Sequence, residues 1–338
     1  MPKKVILTNI QQTRGIAATL VMVAHVLNSI MKRTSGVDIF VIDGGIGVDI
    51  FFVISGFIMV GVTHDRFGSL QSTKDFMIRR IARIVPIYWI LTLVLAALLI
   101  VTHHPVGVSD LATSFAFFPV VGPEGKVRPI LGQGWTLELE MMFYVIFAGC
   151  LFFSKRTGMI LLCTSLAVLP LIGIADLPYP FEFWTSEIII EFLCGIVLGI
   201  LYNRYGPADI ARPLIPMSVL IIVMILGYHG PLLGWGRPLA WFLATGVVAL
   251  ACFSHQAKGN AFASKALIKL GDWSYSLYLV HIIVLAIFMG VSDRIFGKSI
   301  SIPWGIALFL MINGASVLCA YLSYMLLERP LERRLRPS

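Results

Sequence analysis

Long apolar runs recur along the whole chain, and they constrain its fold more than any other feature. Each run holds roughly 18–22 residues, enough to cross a lipid bilayer as an α-helix. Apolar residues make up 58% of the 338 positions and charged residues only 13%, about half the roughly 25% usual in soluble domains. The sequence therefore excludes a single soluble fold. It predicts an all-α integral membrane protein with one transmembrane domain over residues 1–338.

About ten transmembrane helices are expected, separated by charged or Pro/Gly-rich breaks. One further apolar stretch, 109–121, is too short to cross and predicts a re-entrant or interfacial helix within the loop 103–133. The ten predicted spans lie near 13–31, 44–63, 85–102, 134–153, 158–175, 186–203, 213–229, 238–254, 273–290 and 303–327.

The basic residues predict how these spans are oriented. The formal net charge is +8, from 26 Lys and Arg against 18 Asp and Glu. If the N-terminus is cytoplasmic, 19 of the 26 basic residues fall on the cytoplasmic side and seven outside, as the positive-inside rule requires. This bias predicts that both termini are cytoplasmic and that the 103–133 loop faces outward. It also attributes the positive charge to topology and contact with lipid, so nucleic acid is not expected as a partner.

The cysteines carry no sign of a disulfide or a metal site. All five fall inside apolar spans, without a CxxC pair and without a histidine at ligand spacing. We interpret them as small core residues, and no metal is expected. They are Cys150, Cys163, Cys194, Cys252 and Cys319.

Two ionisable residues lie in the first span. Such groups cost on the order of 2.5–3.5 kcal/mol at the centre of a membrane helix, so each is a functional hypothesis. Arg14 and His25 are separated by about 16.5 Å of helix rise and by about three whole turns, so they share one face. A neutral imidazole suits a general base, and a guanidinium suits phosphate or carboxylate. The structural alternative is a packed histidine and an arginine that anchors the end of the helix.

The second span begins with Gly44, Gly45 and Gly47, followed by Asp49. Glycines allow another helix to approach closely. Asp49 lies about one turn in from the predicted outer surface, where it could orient or stabilise a histidine from a neighbouring helix. The alternative is a carboxylate that the N-terminal end of the helix dipole favours.

The densest basic segment precedes the third span and contains Arg79, Arg80 and Arg83. At helical spacing these guanidiniums lie three or four residues apart and could face one polyphosphate. The alternative is a juxtamembrane cluster that only sets topology and touches anionic lipid.

The fourth span opens with Trp135 and carries Glu138 and Glu140. Two carboxylates two residues apart point to different sides of a helix, so we expect them to serve separate partners. In the sixth span, Glu187 and Glu191 are four residues apart, and pairing with buried cations is the favoured interpretation.

The ninth span places Tyr275, Tyr278 and His281 at i, i+3 and i+6 along one side. An aromatic belt at the membrane interface would explain Tyr275 without any function. His281 lies deeper, and we treat it with the two tyrosines as a candidate substrate-binding or supporting residue.

Taken in order, these motifs resemble the acyltransferase-3 family of bacterial integral membrane proteins. The resemblance extends from residue 14 to residue 330 and rests on six patterns. They are Arg14 followed eleven residues later by His25, the segment Gly47–Gly56 with its Asp49-Ile50-Phe51-Phe52 core, Arg80-x-x-Arg83 before Pro86, Trp135-Thr136-Leu137-x-x-Glu140-x-x-Phe143-Tyr144, Ser274-Tyr275-Ser276-Leu277-Tyr278-Leu279-x-His281, and Glu328-x-Pro330.

The resemblance implies O-acylation of cell-surface carbohydrate from an acyl-CoA donor, usually acetyl-CoA, bound on the cytoplasmic side. It implies that Arg14 and His25 are essential, that the Arg80-x-x-Arg83 pair lies at the donor end, and that Glu140 is the family's acidic position. The chain ends eight residues after Pro330, which is similar to members without an appended esterase domain. The expected acceptor is an exopolysaccharide or lipopolysaccharide unit, free or lipid-linked, at the bacterial inner membrane.

The residues themselves are consistent with this chemistry. A base must remove the acceptor hydroxyl proton while a donor group stabilises the oxyanion, and no metal is needed. His25 is the predicted base, supported by Asp49. The rival hypotheses are a proton-coupled transporter, which also uses inward-facing His, Asp, Glu and Arg, and a flippase-like or scaffold partner of polysaccharide assembly.

Overall fold

The protein is helical throughout the residues that the computed structural model describes, which are 8–34, 44–121, 129–206, 214–227, 236–254 and 264–335. Among the described residues, Thr34 and Ile300 form an isolated β-bridge. The helices are α1 (Thr8–Met31), α2 (Gly45–Val62), α3 (Leu70–Val101), α4 (Val108–Phe115), α5 (Gly134–Leu151), α6 (Lys155–Gly173), α7 (Phe181–Trp184), α8 (Ile190–Tyr205), α9 (Leu214–Gly227), α10 (Gly236–Phe253), α11 (Lys265–Asp272), α12 (Ser274–Phe296), α13 (Ile302–Ser323) and α14 (Arg329–Leu335).

The prediction of an all-α membrane protein is confirmed. Within the described residues, eight helices are long and apolar enough to cross a bilayer, and the segment Arg237–Phe253 forms a shorter apolar helix. Each of the ten predicted spans overlaps an observed helix. One of these helices, α9, has only 14 residues. The count of ten crossings therefore stays a prediction, since eight helices of the described part meet the length and hydropathy of a span.

Helix α3 is longer than predicted. The apolar pattern placed a span at 85–102, whereas the helix begins at Leu70 and has 32 residues. Ser69 caps it, since its side chain accepts a hydrogen bond from the backbone amide of Ser72. The arginines at 79–83 and Pro86 therefore lie inside one continuous helix. The apolar pattern did not show its first half, because charged side chains lower the local hydropathy without breaking a helix.

Two short helices connect the longer ones. Helix α4 spans eight residues within the predicted stretch 109–121, so a short helix at this place is confirmed; residues 122–128 of the same loop lie outside the described residues. Helix α11 was not predicted. Ser264 caps it by accepting from the backbone amide of Leu267.

The chain divides into two compact units, each built from two stretches of sequence. Unit 1 comprises Met1–Met59 and Cys194–Tyr321, and unit 2 comprises Val60–Leu193 and Leu322–Ser338. Two candidate sites follow from this division, because the predicted functional residues fall into both units.

The core of unit 1 forms where α2 packs against α8 and α10. Buried residues of α2, among them Ile50, Val53 and Phe57, join Val247 and Ala251 of α10 in one apolar cluster. Two glycines permit close approach between these helices. A Cβ atom at Gly47 would meet the carbonyl oxygen of Ala17 in α1, and one at Gly195 would meet the carbonyl oxygen of Val53. The predicted role of the glycines at the start of α2 is confirmed at Gly47.

Aromatic rings dominate the core of unit 2, where α3 packs against α5. Phe143 stacks on Phe192 with ring centroids 4.3 Å apart, and Phe76 stacks on Phe147 at 5.3 Å. This core anchors the first half of α3 beside α5 and so fixes the position of the arginines that follow Phe76.

Candidate functional site

The central feature of unit 1 is a pair of histidines from α1 and α12, two helices that pack against each other. The Nδ1 atom of His25 lies 3.0 Å from Nε2 of His281. The two rings are nearly parallel, with an interplanar angle of 17°. His281 is fully buried and His25 is half-buried. Both were predicted as site residues, and the structure brings them into direct hydrogen-bond contact.

The hydrogen bonds of this pair define which nitrogen of His25 carries the lone pair. The Nδ1 atom of His281 lies 2.9 Å from the carbonyl oxygen of Leu277, and a carbonyl only accepts, so this Nδ1 is the protonated nitrogen. With His281 neutral, as its exclusion from water favours, its Nε2 accepts from the Nδ1–H of His25. The Nε2 atom of His25 is then unprotonated and can act as a base.

The surroundings of the histidine pair combine aromatic rings with a glycine. Tyr278 is buried; its ring centroid lies 6.3 Å from that of His281 and 6.0 Å from that of Phe51. A methyl group on Gly44 would lie 3.7 Å from His25 Nε2, so this nitrogen faces the start of α2. Tyr275 is half-buried, one turn before Tyr278 on α12.

Arg14 lies on the same helix as His25 and is half-buried. Its guanidinium donates to the side-chain oxygen of Gln11 at 3.5 Å. Gln11 in turn donates to Asp272 at the end of α11, at 2.7 Å. Arg14 is thus joined to a polar group at one end of α1, as expected for an anchoring residue and compatible with an anion-binding one.

Asp49 is fully buried and forms an ion pair that the sequence did not predict. Its Oδ1 accepts from Arg237 at 3.1 Å, and the Arg237 side chain is 23% exposed. The hydrogen-bond partner that the structure assigns to His25 is His281. The prediction that Asp49 supports His25 therefore stays a prediction, while its pairing with Arg237 ties α2 to α10.

Unit 2 holds the predicted arginine cluster. Arg80 is almost fully buried and lies over the rings of Phe76 and Tyr144, at 5.7 and 5.8 Å from their centroids. The hydroxyl of Tyr144 donates to Glu140 at 2.5 Å. Glu140, the predicted acidic residue, is therefore joined through Tyr144 to Arg80.

The other two arginines have different surroundings. Arg83 is half-buried and lies within electrostatic reach of Glu140, Glu328 and Glu332, and Glu140 also acts on Arg80. Arg79 forms a long ion pair with Asp75, at 3.9 Å, one turn earlier on α3. Arg80 and Arg83 therefore lie near carboxylates, and the fork of three arginines facing one polyphosphate stays a prediction.

The remaining predicted residues of unit 2 lie on α5 or near α8. Trp135 is half-buried at the start of α5, and Glu138 is buried at 2% exposure. As predicted, Glu138 and Glu140 lie in different surroundings. Glu191 is buried whereas Glu187 is exposed, so this pair does not form one site.

The pairing of Asp49 with Arg237 was not predicted. A usable signal was present, because Asp49 was expected near the outer end of its span and Arg237 directly precedes the span predicted at 238–254. The direct contact between His25 and His281, which are 256 residues apart, was not predicted either.

These features define a multi-pass, all-α membrane protein with a histidine pair in one unit and a buried arginine and carboxylate network in the other. Residues 7–325 match the acyltransferase-3 family, whose matched region is described as an acyltransferase domain. The chain belongs to this family, which confirms the resemblance inferred from the motifs.

Curated relatives agree with this assignment. The chain is 32% identical to the exopolysaccharide production protein ExoZ of Rhizobium meliloti over 301 residues, covering 86% of this chain and 90% of that protein. It is 24% identical to the peptidoglycan O-acetyltransferase OatA of Listeria monocytogenes, covering 86% of this chain and 51% of that protein. It is 22% identical to the acyltransferase MdmB of Streptomyces mycarofaciens, covering 84% and 81%. No solved structure matches the chain.

Proposed function

We propose that the protein is an O-acyltransferase that moves an acetyl or other short acyl group from acyl-CoA to a hydroxyl of a saccharide, with His25 as the general base. The observation that carries this proposal is the hydrogen-bond chain from the Leu277 carbonyl through His281 to His25. It directs the lone pair of His25 to Nε2. Acyl transfer to a hydroxyl requires such a base.

The proposed reaction is direct transfer. His25 Nε2 takes the proton of the acceptor hydroxyl as the oxygen attacks the thioester carbonyl carbon. The tetrahedral oxyanion then collapses, the carbon–sulfur bond breaks, and the imidazolium of His25 returns the proton to the leaving CoA thiolate. While His25 is charged, its hydrogen bond to His281 becomes charge-assisted and therefore stronger.

For the donor, we propose that Arg80 and Arg83 bind the CoA phosphates and that Arg14 and Arg79 contribute positive charge. Guanidiniums match phosphate geometry well. The carboxylates near Arg83 mean that a phosphate must compete with Glu140, Glu328 and Glu332. Donor binding is thus expected to shift these carboxylates away from the two arginines.

For the acceptor, the names of two relatives favour a saccharide, since one is an exopolysaccharide production protein and another a peptidoglycan O-acetyltransferase. Trp135, Tyr275 and Tyr278 are proposed to support the acceptor or the histidine pair. The proposed location is the bacterial inner membrane with both termini cytoplasmic, which the bias of basic residues supports.

The topology is tested by labelling single cysteines in a chain stripped of its own five. An impermeant thiol reagent on intact cells should label Ser109→Cys and Lys126→Cys but not Ser338→Cys; the last two positions lie outside the described residues. Strong labelling of Ser338→Cys would contradict cytoplasmic termini and the direction of transfer.

The activity is tested with the purified full chain in lipid nanodiscs, by following free CoA thiol after acetyl-CoA and a saccharide acceptor are added. Acceptor-dependent thiol release is expected from the wild type. A transporter or a scaffold protein would release none, and that result would contradict the proposal.

A further inference from the structure

A second group of buried polar side chains lies in unit 2, on α3, α5 and the segment before α7. Glu138 is 2% exposed and Tyr88 is fully buried. Tyr179 has a half-buried ring whose hydroxyl is buried. A Cβ atom at Gly134 would lie 2.5 Å from the Tyr88 hydroxyl, and Glu138 follows Gly134 by about one turn of α5. The Glu138 carboxyl also acts electrostatically on the phenols of Tyr88 and Tyr179. Neither the acyl-transfer chemistry nor the arginine network uses them.

Three atoms of this group have no hydrogen-bond partner among the described residues. They are Oε2 of Glu138 and the hydroxyl oxygens of Tyr88 and Tyr179. A buried polar group without a partner costs about 1–3 kcal/mol, and more when it is charged. Such groups are rare in folded proteins and call for an explanation such as a ligand. Burial, with the charges of Glu138 and Glu182 nearby, raises the pKa of Tyr179, so its hydroxyl is a stable hydrogen-bond donor.

Aromatic side chains line one side of this group, and one of them has a strained backbone. Phe117 has a backbone φ of 53°, in the left-handed region that glycine favours. Its ring packs on Tyr88 with centroids 4.8 Å apart. Trp89, the residue after Tyr88, donates its indole N–H to the backbone carbonyl of Phe115 at 3.1 Å. These contacts fix the end of α4 over Tyr88, and strained residues of this kind cluster at ligand sites.

We propose that Glu138, Tyr88 and Tyr179 bind a sugar ring through its hydroxyl groups and so form the acceptor subsite. Hydroxyls both donate and accept, so neighbouring hydroxyls of one ring satisfy a carboxylate and two phenols together. The apolar face of the ring is suited to pack on aromatic side chains such as Phe117. An organic cation would satisfy Glu138 but would leave the phenol donors without acceptors.

This inference rests on the proposed function for the identity of the acceptor, but it can be tested without catalysis. Saturation-transfer NMR would measure binding of methyl β-D-glucopyranoside to the full chain in nanodiscs. Glu138→Gln and Tyr179→Phe keep the shape of the side chain while removing the charge or the hydroxyl. Each should raise the dissociation constant by about tenfold or more. Choline chloride serves as the cation probe.

Enzyme kinetics distinguishes a role of Glu138 and Tyr179 in acceptor binding from a purely structural role. With the same glucoside as acceptor, both variants should raise the acceptor KM about tenfold and leave the acetyl-CoA KM unchanged. Glu187→Gln and Tyr205→Phe are matched controls, because both residues are exposed, and they should behave as the wild type. Glu138→Gln should not lower the unfolding midpoint, since it keeps the size and shape of the buried side chain.

Several outcomes would overturn the subsite. Three of them concern binding: the wild type binds the glucoside without saturation, Tyr179→Phe binds it as well as the wild type does, or the protein binds choline in preference to the glucoside. The fourth such outcome is an acceptor KM of Glu138→Gln and Tyr179→Phe within twofold of the wild-type value. A wild type that binds glucoside through Glu138 but never releases CoA thiol would instead overturn the proposed function and leave the subsite standing.

Discussion

Replacing His281 is expected to slow acyl transfer without removing the base. His281 accepts the Nδ1–H of His25 at 3.0 Å, and this bond strengthens when His25 becomes an imidazolium. A hydrogen bond to a charged group contributes about 1.5–3 kcal/mol. Since about 1.36 kcal/mol corresponds to a factor of ten in rate, His281→Ala should lower kcat by roughly 10- to 150-fold.

The assay is CoA thiol release under saturating donor and acceptor, with both KM values measured. His281→Gln offers a side-chain oxygen that can accept from His25, so it should recover part of the lost kcat. His64→Ala is the matched control, because His64 is exposed, and it should behave as the wild type. A kcat for His281→Ala within twofold of the wild type, or an effect on KM alone, would refute the role assigned to this pair.

Two further predictions follow from the charged groups. The double variant Arg80→Ala/Arg83→Ala should raise the acetyl-CoA dissociation constant by about tenfold or more, because each charge-assisted hydrogen bond contributes about 1.5–3 kcal/mol, while acceptor binding changes little. Asp49→Asn should lower the free energy of unfolding by about 3 kcal/mol, since it breaks a pair with a fully buried member. Asp293→Asn should cost less, about 1 kcal/mol, because Asp293 and its partner Arg33 are both only half-buried.

Each of these predictions has its own control. For the arginines it is Lys155→Ala/Arg156→Ala, which removes the same charge from two exposed positions; equal loss of donor affinity in both double variants would indicate a general effect of charge. For the ion pairs the comparison is internal, measured by denaturant unfolding in the same detergent. Equal destabilisation by Asp49→Asn and Asp293→Asn would show that burial does not determine the strength of these pairs.

The helices could be predicted because a bilayer requires long apolar segments, which the sequence shows directly. Hydropathy did not reveal two helical segments, the first half of α3 and the whole of α11. Hydropathy marked only the part of α3 after Pro86, since the charged segment before it carries no apolar signal although it is helical. Helix α11, with eight residues, is too short and too mixed in composition to stand out.

The site residues could be predicted one by one, since ionisable side chains inside apolar spans are costly and therefore conspicuous. Their pairing could not, because it depends on which helices become neighbours. His281 contacts His25 only because α12 packs on α1, and Arg237 reaches Asp49 only because α10 packs near α2. The surroundings of Arg83 likewise depend on α14, which follows at the far end of the chain and packs on α3.

The central claim is that His25 is the base for acyl transfer to a hydroxyl. The most direct measurement uses radiolabelled acetyl-CoA and a saccharide acceptor with the purified chain in nanodiscs, and compares the wild type with His25→Ala. With the wild type, label is expected on the saccharide as an alkali-labile ester. With a His25→Ala protein that has the wild-type unfolding midpoint, no label above background is expected. Near-normal labelling by His25→Ala would remove His25 from the mechanism and contradict the account.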